Sequence, residues 1–141
     1  MKLYVRLLVH SNNKILAKRN ADDHPHFPGK LVLLGGEMID PLAFADRLTV
    51  LKSAVNAVGL HLTEQVFDVI IGEACYTHKY VRESDGELLT VLTWVVPVEW
   101  FTGALTAVEW VDFVDAHKAD WVPSSLDAVI KFQDNFGFER D

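Results

Sequence analysis

Cysteine is nearly absent from this chain: Cys75 is the only one among 141 residues. A disulfide framework and a cysteine-based zinc site are therefore excluded, and a reducing, cytoplasmic setting is expected. Long apolar runs are also missing. The opening segment MKLYVRLLVH carries charges inside a strand-like pattern, which suits neither a signal peptide nor a membrane span. Positive charge is in short supply, with 13 Lys and Arg against 20 Asp and Glu, for a formal net charge of −7. No stretch concentrates the cations, so a nucleic-acid surface built on phosphate contacts is not expected. A nucleotide held in a small pocket stays open. There is no G-x-x-x-x-G-K-[ST] loop, no G-x-S-x-G elbow and no H-E-x-x-H, which removes common enzyme classes. Internal repeats and low-complexity segments are lacking as well.

What is present suffices for one domain over residues 1–141, since 50% of the residues are hydrophobic. The organising stretch is Leu31 to Leu60, LVLLGGEMIDPLAFADRLTVLKSAVNAVGL. An apolar run ends in the Gly35 and Gly36 turn, a loop follows, and Asp40 and Pro41 open a helix. Asp40 is suited to the N-cap, and Pro41 gives up no bond at the first helical position. Gly59 closes the helix in the left-handed conformation. About five turns, roughly 27 Å, lie between the caps. Phe44, Leu48, Leu51, Ala54, Val55 and Val58 recur at three- and four-residue steps and form its apolar stripe.

On the N-terminal side, Leu3 to His10 and Lys14 to Lys18 read as a hairpin turned by Ser11, Asn12 and Asn13. Arg19 ends it. The polar loop NADDHPHFPGK follows, where Asp22, Asp23, His24 and His26 are either a divalent-metal cluster or an ordinary acidic loop. Beyond the helix, Val66 to Arg82 and Leu88 to Trp100 read as a long hairpin turned by Ser84, Asp85 and Gly86. Pro97 ends the second strand or places it on an edge. His78 is either a base or donor near a phosphate or a strand histidine on the sheet surface. Ala107 to Val114 is a short strand and Asp115 to Trp121 a polar connection. The last helix is expected over Leu126 to Phe136, with Ser124 or Ser125 as N-cap and Ala128, Val129, Phe132 and Phe136 on its apolar face. Trp94, Trp100 and Phe101, near a possible edge, could serve a homodimer.

Strand, glycine turn, loop and capped helix in this order resemble the Nudix hydrolase superfamily. The opening hairpin, long hairpin, Glu109–Trp110 strand and final helix extend the resemblance over nearly the whole chain. Its signature is Gly, five residues, Glu, seven residues, then Arg, Glu, an aliphatic, any residue, two Glu, any residue, Gly and an aliphatic. Aligned from the end, Gly59 and Leu60 take the last two positions and Ala54 the small or aliphatic one. Lys52 stands for the Arg, Ser53 for its Glu, and Asn56 and Ala57 for the paired Glu. Two extra residues between Gly36 and Gly59 put the early Glu on Leu42 or Phe44. The resemblance implies an α/β (α+β) fold, a Nudix-type α/β/α sandwich with a mixed β-sheet between the central and final helices.

In the resembled enzymes the helical carboxylates share one face and hold Mg²⁺ or Mn²⁺ against a diphosphate. The metal neutralises phosphate and activates the attacking water. Ser53, Asn56 and Ala57 supply no charge for this. Asp46 is the acid left on that stripe, either a ligand or a first-turn acid favoured by the helix dipole. By the same resemblance Arg19 reaches substrate phosphate, unless it is a plain strand-end cation. Ser125 stands where MutT-type enzymes present Asn or Asp to the nucleobase, unless it serves as a cap. The implied ligand set is Arg19, Gly35, Gly36, Glu37, His78 and Ser125. The implied metal set is Asp46, Glu37 and Glu109, with Asp40 nearby. The expected function is a small-molecule, nucleotide-like ligand cleft with metal-dependent hydrolysis lost. The alternative is a divergent pyrophosphohydrolase using Mg²⁺ or Mn²⁺.

Overall fold

In β1 (Lys2–Ser11), Val5, Leu7 and Val9 project to one side and Leu8 to the other, and all four are fully buried. A strand apolar on both faces must be covered on both. The computed structural model describes residues 2–40 and 42–140, apart from the side chain of Phe44. After β1 come β2 (Lys14–Arg19), β3 (Leu31–Val32), β4 (Leu34–Glu37), α1 (Phe44–Ala57), β5 (Leu60–His61) and α2 (Glu64–Ile70). They are followed by β6 (Tyr76–Val81), β7 (Leu88–Pro97), β8 (Thr102–Gly103), β9 (Glu109–Asp112) and α3 (Pro123–Asn135).

The main sheet runs β3-β2-β1-β7-β6, with β4 also on β1 and β9 on β2. β1 and β7 are parallel, in register from Lys2 with Leu89 to His10 with Pro97. The other pairings are antiparallel, so the sheet is mixed as expected. On one face Leu51 and Val55 of α1, with Val58 at its C-cap, pack on Val5, Leu7, Val9 and Trp94. On the other, Ala128, Val129 and Phe132 of α3 pack on Leu8, Ile15 and Leu33. Each such aliphatic side chain contributes about 1.5–3 kcal/mol when fully buried. The result is the α/β/α sandwich.

Two glycines fix the central unit. Gly35 has φ +149, and a β-carbon there would collide with the Val5 carbonyl oxygen, so only glycine lets β4 lie this close to β1. Gly59 has φ +88, and a β-carbon there would collide with the carbonyl of Ala104. Its own carbonyl accepts from Ala104 N at 3.1 Å. The helix stop is therefore also the joint of the small β5–β8 sheet.

Several boundaries differ from the sequence reading. α1 begins at Phe44, with Ala43 at the N-cap and no side-chain cap. Asp40 lies outside the helix, its carboxylate accepting from Leu42 N at 3.0 Å. Pro41 falls outside the described residues. α1 has 14 residues, roughly 21 Å of helix. Val66 to Arg82 is not one strand, because its first part is α2. Thr63 accepts from Val66 N at 3.4 Å, and Val66 and Ile70, four residues apart, are both buried. β7 does end at Pro97, one of the two outcomes expected of that proline, where it pairs with His10 of β1 beyond the reach of β6, whose pairing stops at Thr93. Phe113–Lys118 forms a 3₁₀ turn in place of the later part of the expected strand and the start of the polar connection. α3 starts at Pro123 with Val122 as N-cap, so Ser124 and Ser125 sit inside its first turn, both buried. Trp94 is fully buried, Phe101 buried and Trp100 half-buried, which removes them as an exposed association patch.

Candidate ligand cleft

Beyond the point where α3 stops covering the sheet, the same face opens into a cleft of about 450 Å³. Its floor comes from β1, whose even-numbered residues Lys2, Tyr4 and Arg6 share the face of Leu8. One wall is Gly35, Gly36 and Glu37 of β4 with Ala54 of α1 behind them. The other wall includes Tyr80 and Arg82. The loop after β2 supplies His24, Pro25, His26 and Phe27, and Ser124 contributes from the start of α3. Gly36 keeps that wall thin: a β-carbon there would meet Val50 of α1 at 3.3 Å.

On a chain of net charge −7, the cleft is cationic. Lys2, Arg6, Lys18 and Arg82 line it, and among the described residues Glu37 is the only acid that does. Arg82 is buried and paired: Nε and Nη2 donate to the two oxygens of Asp85 at 3.0 and 2.6 Å, and Nη1 donates to Tyr4 Oη at 3.3 Å. Asp85 is thereby held well below the usual carboxylate range, chiefly by Arg82 and then by the amide of Glu87. Tyr4 Oη in turn faces Glu37 at 3.5 Å, and Lys2 Nζ lies 3.9 Å from the same carboxylate.

Arg6 has no such support. Its Nε is sealed from water with no hydrogen-bond partner among the described residues, and its guanidinium lies 5.3 Å from the Tyr4 ring centroid. Desolvation lowers its pKa from the ordinary arginine value to about 10, against weaker opposing effects of the Tyr4 and Tyr80 phenols. It remains charged at pH 7, and a half-buried cation without a carboxylate is suited to an anion from outside. His24 accepts at Nδ1 from the amides of His26 and Phe27, at 3.2 and 2.9 Å. Burial, then the positive field of His26, Arg6 and Arg82, lowers its pKa. His26 Nδ1 meets Ser84 Oγ at 2.8 Å and so ties the loop to the β6–β7 turn.

The residues singled out from sequence divide into two groups. Gly35, Gly36 and Glu37 line the cleft. Arg19 does not: Nε and Nη2 donate to Glu109 at 2.7 and 2.9 Å, and Nη1 donates to the Gly29 carbonyl at 2.8 Å. Ser125 Oγ accepts from Leu33 N at 3.1 Å and is structural, and its neighbour Ser124 faces the cleft. His78 does not line the cleft: it lies on β6, half-buried, with Nδ1 sealed and without a partner among the described residues. Lys52, Ser53, Asn56 and Ala57 are exposed on α1. Asp46 accepts from Asp40 N at 2.6 Å. Asp46, Glu37 and Glu109 are not brought together, nor are Asp22, Asp23, His24 and His26: among the described residues, no three His, Cys, Asp or Glu side chains are grouped to hold a metal ion. The donor set does not fit Mg²⁺, which needs carboxylate oxygens. Arg6 and Arg82 were missed from sequence. The available signal was that Arg6 shares the parity of core residue Leu8 along β1.

No protein-family model matches the sequence, and no curated protein sequence does. Solved structures do match. The solution structure of the E. coli ORF135 protein aligns with TM-score 0.69 and 21% identity, over 95% of this chain and 89% of that one. A NUDIX hydrolase from Nitrosomonas europaea gives TM-score 0.66 and 10% identity, over 95% and 89%. A bifunctional NMN adenylyltransferase/ADP ribose pyrophosphatase from Francisella tularensis, solved with AMP and a Mn ion, gives 0.60 and 18%, over 95% of this chain and 41% of that one. With a mixed sheet held between the glycine-bracketed α1 and the terminal α3, and with these structural matches over nearly its full length, the chain has the Nudix hydrolase fold.

Proposed function

We propose that this Nudix-fold chain is a single cytoplasmic domain that binds a phosphorylated, nucleotide-like small molecule in its cleft and does not carry out metal-dependent hydrolysis. One observation carries the reading. The α1 positions where the resembled enzymes place carboxylates hold exposed Ser53, Asn56 and Ala57, while the cleft beside α1 is lined by four cations and one acid. Such a surface attracts phosphate and repels a divalent ion. Nucleotide binding by a fold-mate supports the ligand class, since the Francisella tularensis protein was solved with AMP. No helix among the described residues is long and apolar enough to cross a membrane.

Glu37 at the cleft wall favours a second reading, a divergent hydrolase drawing on Glu37, Asp40, Asp46 and Glu109 with Mg²⁺ or Mn²⁺. Turnover assays with nucleoside diphosphate derivatives separate the two. The first reading expects no metal-dependent product, and rates above ~1 s⁻¹ would overturn it. The second expects Glu37→Ala with Asp46→Ala to abolish hydrolysis.

A further inference from the structure

Three polar atoms on the sheet face that carries the cleft have no hydrogen-bond partner among the described residues and are closed off from water: Arg6 Nε, Thr93 Oγ1 and His78 Nδ1. They belong to one patch. Thr93 of β7 is the register partner of Arg6 on β1, and the same Thr93 pairs with Tyr76 on β6. His78 is two residues along β6 from Tyr76, opposite Val91. Directly opposed side chains on neighbouring strands start roughly 5 Å apart and diagonal ones roughly 7–8 Å apart. Buried polar groups are as a rule satisfied, so unmet atoms on adjoining positions mark a floor that is incomplete as it stands. Only Arg6 of the three reaches the cleft itself.

Its surroundings select the missing partner. Arg82, the other arginine on the cleft, has its donors directed to Asp85 and to Tyr4, and Lys2 stands by Glu37. Arg6 therefore keeps its charge for a ligand. A planar guanidinium in a partly dry site favours an oxyanion, which it can grip through paired hydrogen bonds.

Resting on the nucleotide-cleft reading and extending it, we infer that Arg6 takes a phosphate oxyanion of the ligand directly at the cleft floor, without a bridging divalent cation. A cation already built into the floor does the neutralising that a metal held by α1 carboxylates does in the resembled enzymes. The binding of phosphate then needs no metal, and phosphate enters deep rather than lying along α1.

Calorimetric titration of the full chain with pyrophosphate, ADP and adenosine, each in EDTA and again in Mg²⁺, tests this, using wild type, Arg6→Lys, Arg6→Gln and Arg6→Met. Wild type should bind pyrophosphate and ADP in EDTA at least as tightly as in Mg²⁺, which chelates the same phosphate oxygens, and adenosine much more weakly. Loss of a charge-assisted contact should weaken ADP roughly 10- to 100-fold in Arg6→Met and Arg6→Gln, with Arg6→Lys between them and wild type. Thermal melts establish that each variant is folded, and Arg6→Gln decides the matter if Arg6→Met does not fold. ADP binding that survives Arg6→Gln unchanged, or that requires Mg²⁺, overturns the inference and leaves the nucleotide-cleft reading standing. No ADP binding by wild type in either buffer overturns both.

Discussion

Replacing Arg6 with Met should stabilise the chain while removing its ligand contact. Burial lowers the Arg6 pKa to about 10, against weaker opposing effects of Tyr4 and Tyr80, so folding disfavours the charged form. At ~1.4 kcal/mol for each tenfold change, the penalty carried at pH 7 is about 3 kcal/mol. Met keeps the stem and lacks the charge. Against the gain stands the loss of the guanidinium over the Tyr4 ring, 5.3 Å from its centroid, a contact of about 0.5–1 kcal/mol. A net stabilisation of about 2 kcal/mol is expected, which for a urea slope of about 2 kcal/mol/M raises the midpoint by about 1 M. The pH dependence has a definite sign. Because the folded pKa lies below the unfolded one, the penalty is fully present below about pH 10 and is relieved as pH rises from there toward the ordinary arginine value. Urea unfolding at pH 7 decides it: a variant less stable than wild type would refute the idea that Arg6 is held against its own hydration.

Gly59→Ala should cost about 2–4 kcal/mol, through its positive φ and the collision with Ala104, and a loss below ~1 kcal/mol by thermal melt would contradict the joint described for it. Asp85→Asn removes a carboxylate whose pKa is depressed by Arg82. The stability it contributes is present above its unfolded pKa of ~3.9 and lost as pH falls through its lower folded value. Melts should therefore show the variant weaker than wild type at pH 7, with the gap narrowing below about pH 4; a gap independent of pH would count against the pairing. Arg19→Ala should cost less than ~1 kcal/mol, because the pair with Glu109 is about half exposed on both sides. ADP affinity should not change, and a tenfold loss would return Arg19 to the ligand.

The central unit is legible in sequence because its punctuation is chemical. Gly35 and Gly59 occupy backbone positions that no other residue fills without collision, and the apolar stripe between them has helical spacing. α2 is harder to see, since Val66, Phe67, Val69 and Ile70 carry strand-like composition. Its evidence is the Thr63 cap and the four-residue step from Val66 to Ile70. Trp94 reads as a surface aromatic until β7 is placed between β1 and β6, where alternation sends it inward with Leu92 and Val96. The cleft is least legible. A lone arginine in a strand reads as a solvated side chain, and its direction depends on which β1 face α3 leaves uncovered. That is a property of the packed layers rather than of any local motif.

Crystals soaked with Mn²⁺ and a non-hydrolysable ADP analogue put the central claim to the most direct test. The expected density has phosphate oxygens against the Arg6 guanidinium and no metal beside α1. A manganese ion bridging phosphate to Glu37 or to residues of α1 would contradict it.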